Sequence, residues 1–350
     1  MKKGIGLSVP AFFSKKFINE LEKLQETKNG NDYIDNVYGS PRSLILGQAR
    51  ASKKIPELSL IEMKEYINHL HKIGIKFHFT LNSVWSNGIE RDPDKEEIIY
   101  EEIKSIIDTG IDALIIGNLY LAEIIKSKFE NIDTICSINL KTDSVYKLKS
   151  LVTEFKFNKV VLERTTNRNV SFLKNLEGIY NDKIVLLANP DCVFDCPISL
   201  YHMLENGHLS MNGNNLSNKN YCIDYCQKKY MNDYAEILKT PWIHPADMDL
   251  YENIGIKFIK IQGRTLPKER ILHLTKIYLN RLETNNFTEI FPNFIGKPQN
   301  KSRYIIFDNK KFNRRSFTKT FFKNEINCKN ICGLKCFKCD KFVAELERKL

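Results

Sequence analysis

No apolar run in this 350-residue sequence approaches the roughly 20 residues that a bilayer-spanning helix needs. The N-terminal stretch MKKGIGLSVPAFF has two lysines, but no apolar segment of signal-peptide length and no small-residue cleavage site. The chain therefore reads as a cytoplasmic protein with no membrane partner. Several signatures are also missing. A GxGxxG turn after the first β-rich run would mark a dinucleotide site, and GxSxG or HExxH would mark serine or zinc hydrolysis. None of the three occurs. Hydrophobic residues at 42% and charged residues at 27% exclude disordered and collagen-like chains.

Acidic residues are scarce at one end only. Residues 297–350 hold 15 Lys and Arg against 5 Asp and Glu, which accounts for +10 of the net +11. The rest of the chain is nearly neutral. A basic appendage of this kind can bind RNA. The competing explanation is a chain rich in Lys, Asn and Ile throughout.

What is present along the first 290 residues is one repeated pattern. A short β-rich run ends in a polar residue, and a helix-period segment follows. The runs lie at 4–9, 34–39, 77–82, 113–118, 134–139, 160–164, 184–189 and 258–264. Near-continuous apolar strands that alternate with helices predict a parallel sheet covered on both faces. Eight units predict an α/β fold of TIM-like (β/α)8 type over residues 1–290, with a small Cys-rich C-terminal module over 291–350. A doubly wound open sheet is the alternative. In a barrel the site lies at the carboxyl ends of the strands, here Tyr38, Asn82, Asn118, Asn139, Arg164, Asn189 and Arg264. A ring of Asn and Arg at one mouth suits a small anionic ligand. Any single Asn in it could instead cap the following helix.

Nine cysteines in a chain without export signals point to metal ligation before disulfides. Cys136 stands alone in an apolar strand and reads as an inert buried thiol. Cys192 and Cys196 follow the seventh run, and Cys222 and Cys226 form a second pair with the same spacing. Four thiolates on two short segments can wrap a cubane cluster or a tetrahedral zinc. Their place at the barrel mouth favours a redox [4Fe-4S] cluster, with the sulfurs within about 7 Å of one another. Cys328, Cys332, Cys336 and Cys339 fall within 12 residues, in CKNICGLKCFKC. They predict a second iron–sulfur cluster or a zinc, which would stabilise a module of small core. The preceding SRYIIFDNKKFNRRSFTKTFF mixes bases with Tyr304, Phe307, Phe312, Phe317, Phe321 and Phe322. Such a mixture can stack single-stranded RNA, or can be the core of a small subdomain. His202 and His244 are the candidate proton shuttles, the alternative for each being a structural histidine.

Several segments carry a family resemblance: IDNVYGS with Arg50-Ala51, GIDALIIGN, Ser137 and Asn139 in CSINLKTD, Glu163-Arg164 in VVLERT, CIDYCQKKY, and Lys260, Gly263 and Arg264 in the closing KFIKIQGR. Over roughly residues 30–267 the chain resembles the collagenase-like peptidase family. The resemblance implies a barrel and a [4Fe-4S] cluster. Arg50, Asn82, Asn139, Arg164, Lys260 and Arg264 are the candidate substrate contacts, since most lie at strand ends on the site face. Gln262 stands where the family usually has Glu, and LLANPDC lacks the Glu and His-Gly of its protease signature. The resemblance thus implies an iron–sulfur-dependent enzyme performing oxygen-independent hydroxylation, or a related modification, of an aromatic small molecule, an RNA base or a peptide, with a separate electron donor. A peptidase of the same family and a non-catalytic RNA-binding protein are the alternatives.

Overall fold

The structure, a computed structural model, describes residues 4–42, 45–50, 55–212, 221–292, 307–324 and 326–348. Ala51, Tyr304 and the stretch 293–306 lie outside the described residues. Among the described residues no helix is long and apolar enough to cross a membrane.

Eight parallel strands close a barrel in chain order. They are β1 Gly6–Pro10, β2 Tyr33–Gly39, β3 Lys76–Leu81, β4 Ala113–Ile116, β5 Asp133–Cys136, β6 Lys159–Val161, β7 Ile184–Leu187 and β8 Phe258–Lys260. Closure is made by β8 against β1, with Gly6 opposite Phe258 and Ser8 opposite Lys260. Alternation along the strands sorts two cores. Tyr38, Ala113, Ile115, Ile135, Val161 and Val185 form an inner cluster. Their neighbours Leu114, Ile116, Val160, Ile184 and Leu186 join the larger cluster beneath the helices. This is the period-two pattern of a filled barrel jacketed by helices.

The jacket is α1 Lys15–Glu26, α2 Leu60–Lys72, α3 Glu96–Ile107, α4 Leu119–Lys128, α5 Val145–Thr153, α6 Val170–Lys174 and α11 Lys268–Leu279. Between β7 and β8 lie α7 Ser199–Asn212, α8 Tyr221–Asn232, α9 Ala235–Lys239 and α10 Met248–Glu252. Side-chain caps fix several starts. Ser14, Ser59 and Ser144 accept backbone N–H groups at the heads of α1, α2 and α5. The seam where the barrel closes is bolted by Asp32. Its carboxylate accepts from Ile5 N at 2.8 Å and from Arg281 Nε and Nη2 at 2.6 and 2.7 Å.

The tail supplies α12 Arg314–Asn324, α13 Cys328–Ile331 and α14 Lys338–Glu347. Its Phe307, Phe312, Phe317 and Phe321 are buried in the same cluster as the barrel's outer core. Phe307 meets Phe287 at 4.8 Å between ring centroids, and Trp242 stacks on Phe317 at 6.1 Å. These phenylalanines are core residues, so they are not available to stack bases. Asp247, fully buried, receives Arg314, Arg315 Nη1 at 2.8 Å and Thr318 Oγ1 at 2.7 Å. Arg314 also pairs with Glu283, Arg315 with Asp249, and Lys329 with Asp143. Part of the tail's basic charge is thus spent on barrel carboxylates.

Candidate active site at the barrel mouth

The chain leaves β8 through Ile261 and reaches Arg264 beside the loop that follows β2. Arg264 Nη1 donates to Gln48 Oε1 at 3.0 Å and to Thr80 Oγ1 at 2.6 Å. Gln48 is itself locked: Ser40 Oγ donates to its Oε1 at 2.6 Å, and its Nε2 donates to Pro41 O at 2.8 Å. Arg264 makes no other hydrogen bond among the described residues, so its Nε and Nη2 are left for a ligand. Arg50 and Arg264 both line the cleft here, together with Ser40 and Gln48.

Lys260 lies deeper, only 9% exposed, with its ammonium 3.5 Å from the Tyr38 ring centroid. The Tyr38 hydroxyl donates to Ile261 O at 2.7 Å. Among the described residues no carboxylate pairs with Arg50, Lys260 or Arg264. Burial, and then the like charges of Arg264 and Arg50, hold the Lys260 ammonium well below its usual pKa. Burial, and then Arg50, bring Arg264 down to about 9. Three basic groups are therefore gathered without a counter-anion, and charging all three is costly unless a ligand supplies one.

Asn82 and Asn139 do a different job from the one their strand-end positions predict. Asn82 Oδ1 accepts from Ala49 N at 3.1 Å, and Asn139 Nδ2 donates to Asn82 O at 2.8 Å. Together they hold the loop that carries Arg50. Gly117 passes so close behind that a Cβ there would sit 2.5 Å from Asn82 O, so the position tolerates no side chain. Asn118 caps α4 through Tyr120 N and Leu121 N, and Asn189 braces Gln262 N and Ile290 O. No motif or spacing points to Gln48 and Thr80, which are brought to Arg264 from 216 and 184 residues away.

Cys192, Cys196, Cys222 and Cys226 gather at the same face. Cys192 and Cys196 sit on the loop after β7, and Cys222 and Cys226 on α8. Cys196 and Cys226 share a hydrogen bond, and this holds the Cys196 thiol down at about 6 while Cys226 is pushed up. Cys192 feels the charge of Cys196, and Cys222 does too. Arg164 lies against them. Burial opposes its charge, but Cys192, Glu163 and Cys196 outweigh that and keep it protonated. Its Nε lies 3.3 Å from Glu163 Oε1, and Glu163 Oε2 is buried without a hydrogen bond. Among the described residues, no three His, Cys, Asp or Glu side chains converge closely enough for a single metal ion. Cys136 is fully buried and its thiol is raised to about 12 by desolvation, as an inert core thiol should be.

The two histidines part company. His202 lies half-buried on α7, and its carbonyl accepts from Asn206. His244 is fully buried near Arg314. Its Nδ1 accepts from Ala246 N, and its Nε2 lies 3.0 Å from Thr284 Oγ1. Burial, then Arg314, hold its pKa well below the usual value, so it stays neutral. These contacts place it in the packing between barrel and tail.

Comparison with known proteins gives the following matches. The family model described as Peptidase family U32, the collagenase-like peptidase family, matches residues 20–176. An uncharacterized protease of Methanocaldococcus jannaschii is 22% identical over 338 residues, covering 96% of this chain and 94% of that protein. The solved structure of the U32 peptidase Mk0906 superposes with a TM-score of 0.53 at 12% identity, covering 75% of this chain and 94% of that one. That superposition supports the fold.

Proposed function

We propose that the chain, which resembles peptidase family U32 over residues 20–176, is an enzyme that works on a small anionic substrate at the carboxyl-terminal mouth of its barrel. The observation that carries this reading is the cation set Arg50, Lys260 and Arg264, gathered without a carboxylate partner. A substrate carboxylate or phosphate would complete the charge balance, with Arg264 offering its remaining donors as a fork. Lys260, beneath it against the Tyr38 ring, would set the depth at which the anion stops. The reaction we propose is oxygen-independent hydroxylation or a related redox modification.

Cys192, Cys196, Cys222 and Cys226 fit an iron–sulfur cluster on their donor chemistry. Four thiols come together on two elements, and Arg164 stands by as counter-cation. When bound there, the cluster would supply one-electron transfer next to the anion site. Arg164, Glu163 and the loop after β7 would orient the ligands and keep water from them. Cys226→Ser is expected to lower the iron and acid-labile sulfide of anaerobically purified protein by about four atoms of each per chain. Unchanged iron would remove this assignment.

Titration gives a second test. Lys260 and Arg264 have lowered pKa values in the ligand-free protein, so an arriving anion draws protons onto them. Affinity should fall as pH rises through about 9, where Arg264 loses its proton in the free protein, by up to about tenfold per unit, with the lowered Lys260 acting in the same direction. Calorimetric titration with benzoate and with inorganic phosphate measures this and separates the two anion classes. Affinity that is independent of pH between 7 and 10 would count against the site.

Glu163 keeps a hydrolytic reading in view, because its buried Oε2 lacks a partner and could position water. Peptide cleavage that survives loss of iron and is abolished by Glu163→Gln would favour that reading over the redox one.

A further inference from the structure

A single turn after β6, residues Arg164–Arg168, places one arginine at each cysteine quartet. Arg164 acts on Cys192 and Cys196, and Arg168 acts on Cys328 and Cys339. At the roughly 2 Å rise per residue of a 3₁₀ turn, the two arginine backbones are about 8 Å apart. Arg168 is 3% exposed. Its Nη2 donates to Thr240 O at 2.7 Å, and its guanidinium lies 5.3, 5.6 and 4.9 Å from the ring centroids of Trp242, Phe317 and Phe321. Among the described residues no carboxylate pairs with it. A guanidinium caged by aromatic rings away from water is costly without an anion nearby, and a cluster held by the tail cysteines would supply one.

The tail cysteines also form a folded unit. Cys332 N donates to Cys328 O at 2.9 Å, Gly333 N to Cys336 O at 3.1 Å, and Cys332 and Cys336 pair as a bridge. Cys328 and Cys339 are buried. Cys328 feels Cys332 and Cys336, and Cys339 feels Cys328 and Cys332. A zinc with sulfurs at about 2.3 Å would need the four sulfurs within about 4 Å of one another. Among the described residues no three such side chains converge on a single metal position. Four thiolates in one compact run are also the donor set of a cubane cluster. The two quartets are tied through Thr240: its carbonyl accepts from Arg168, and its hydroxyl lies 3.4 Å from Cys192 O. Lys239, next in sequence, pairs with Asp340 beside Cys339 at 2.8 Å.

We propose that Cys328, Cys332, Cys336 and Cys339 ligate a second four-iron cluster, seated beside the mouth cluster across the 164–168 turn. The adjacency rests on the mouth reading above, whereas the tail site does not. Full-length protein purified anaerobically should hold about eight iron and eight sulfide per chain and no stoichiometric zinc. After dithionite reduction its electron paramagnetic resonance signal should be broadened by coupling between two neighbouring spins. Cys336→Ser and Cys339→Ser should each leave about four iron and a narrowed signal, and Cys226→Ser should leave the tail's four. If only the mouth reading fails, wild type and Cys226→Ser will both hold about four iron while the tail variants hold none. One zinc per chain in the wild type overturns the tail assignment, even should a tail variant not fold. So does iron unchanged in both tail variants. Two uncoupled signals in the wild type overturn the adjacency.

Discussion

Replacing Arg264 with alanine is expected to weaken anion binding by about 30- to 1000-fold, the ~2–4 kcal/mol lost when one partner of a desolvated charge pair is cut away. Thermal stability should hold or rise. Arg264 stands near Arg50 and Lys260 without a compensating acid, so removing it relieves like-charge repulsion. Lysine at this position should restore little, because one ammonium cannot both hold Gln48 with Thr80 and fork onto a ligand. Calorimetry with benzoate or phosphate, run beside a thermal melt, separates binding from support. A fall in melting temperature with unchanged affinity would make Arg264 a brace between β8 and the Gln48 loop, and the anion site would have to be abandoned.

The second large effect belongs to Asp247. Asp247→Asn removes the charge that Arg314 and Arg315 share at a fully buried position. Breaking a buried pair from one side leaves uncompensated charge behind, and the expected cost is about 3–5 kcal/mol. Arg315 retains Asp249 and Arg314 retains Glu283, both more exposed, so the loss should not exceed that range. Denaturant titration reads the free energy. Limited proteolysis should cut the chain between barrel and tail more readily in the variant. A change below about 1 kcal/mol would mean that the aromatic cluster around Phe317 carries the attachment, since surface-like ion pairs contribute that little.

The barrel could be read from the sequence because its signal is local. Each β-rich run is short, apolar and followed by a helical period, and all eight became strands. Their ends could not be read the same way. The runs continued to Asn118, Asn139 and Arg164, whereas the strands stop at Ile116, Cys136 and Val161. A polar residue just past a strand looks identical whether it faces a ligand or satisfies the backbone. Asn82, Asn118, Asn139 and Asn189 all went to backbone groups. Arg264 and Lys260 differ in that no acid among the described residues lies near enough to claim them. The partners that define the site come from far along the chain, Gln48 and Thr80 to Arg264, and spacing carries no trace of them. The same holds for Arg168: nothing in TTNR says that its guanidinium will lie among Trp242, Phe317 and Phe321. The four-cysteine groupings were the reverse case, since each pair or run is compact enough to be recognised before any fold is known.

The bolt at the seam has a consequence for how the chain comes into being. Asp32 and Arg281 are separated by 249 positions, and β1 waits for β8 as its second neighbour. At about 5–20 residues per second of synthesis, the amino-terminal strand stands with one open edge for about 12–50 s before its partner has been made. An unpaired parallel edge held that long is an invitation to pair with another nascent chain. The newborn protein should therefore depend on a holding chaperone until residue 281 has cleared the ribosome. Chains stalled short of that point should be found aggregated.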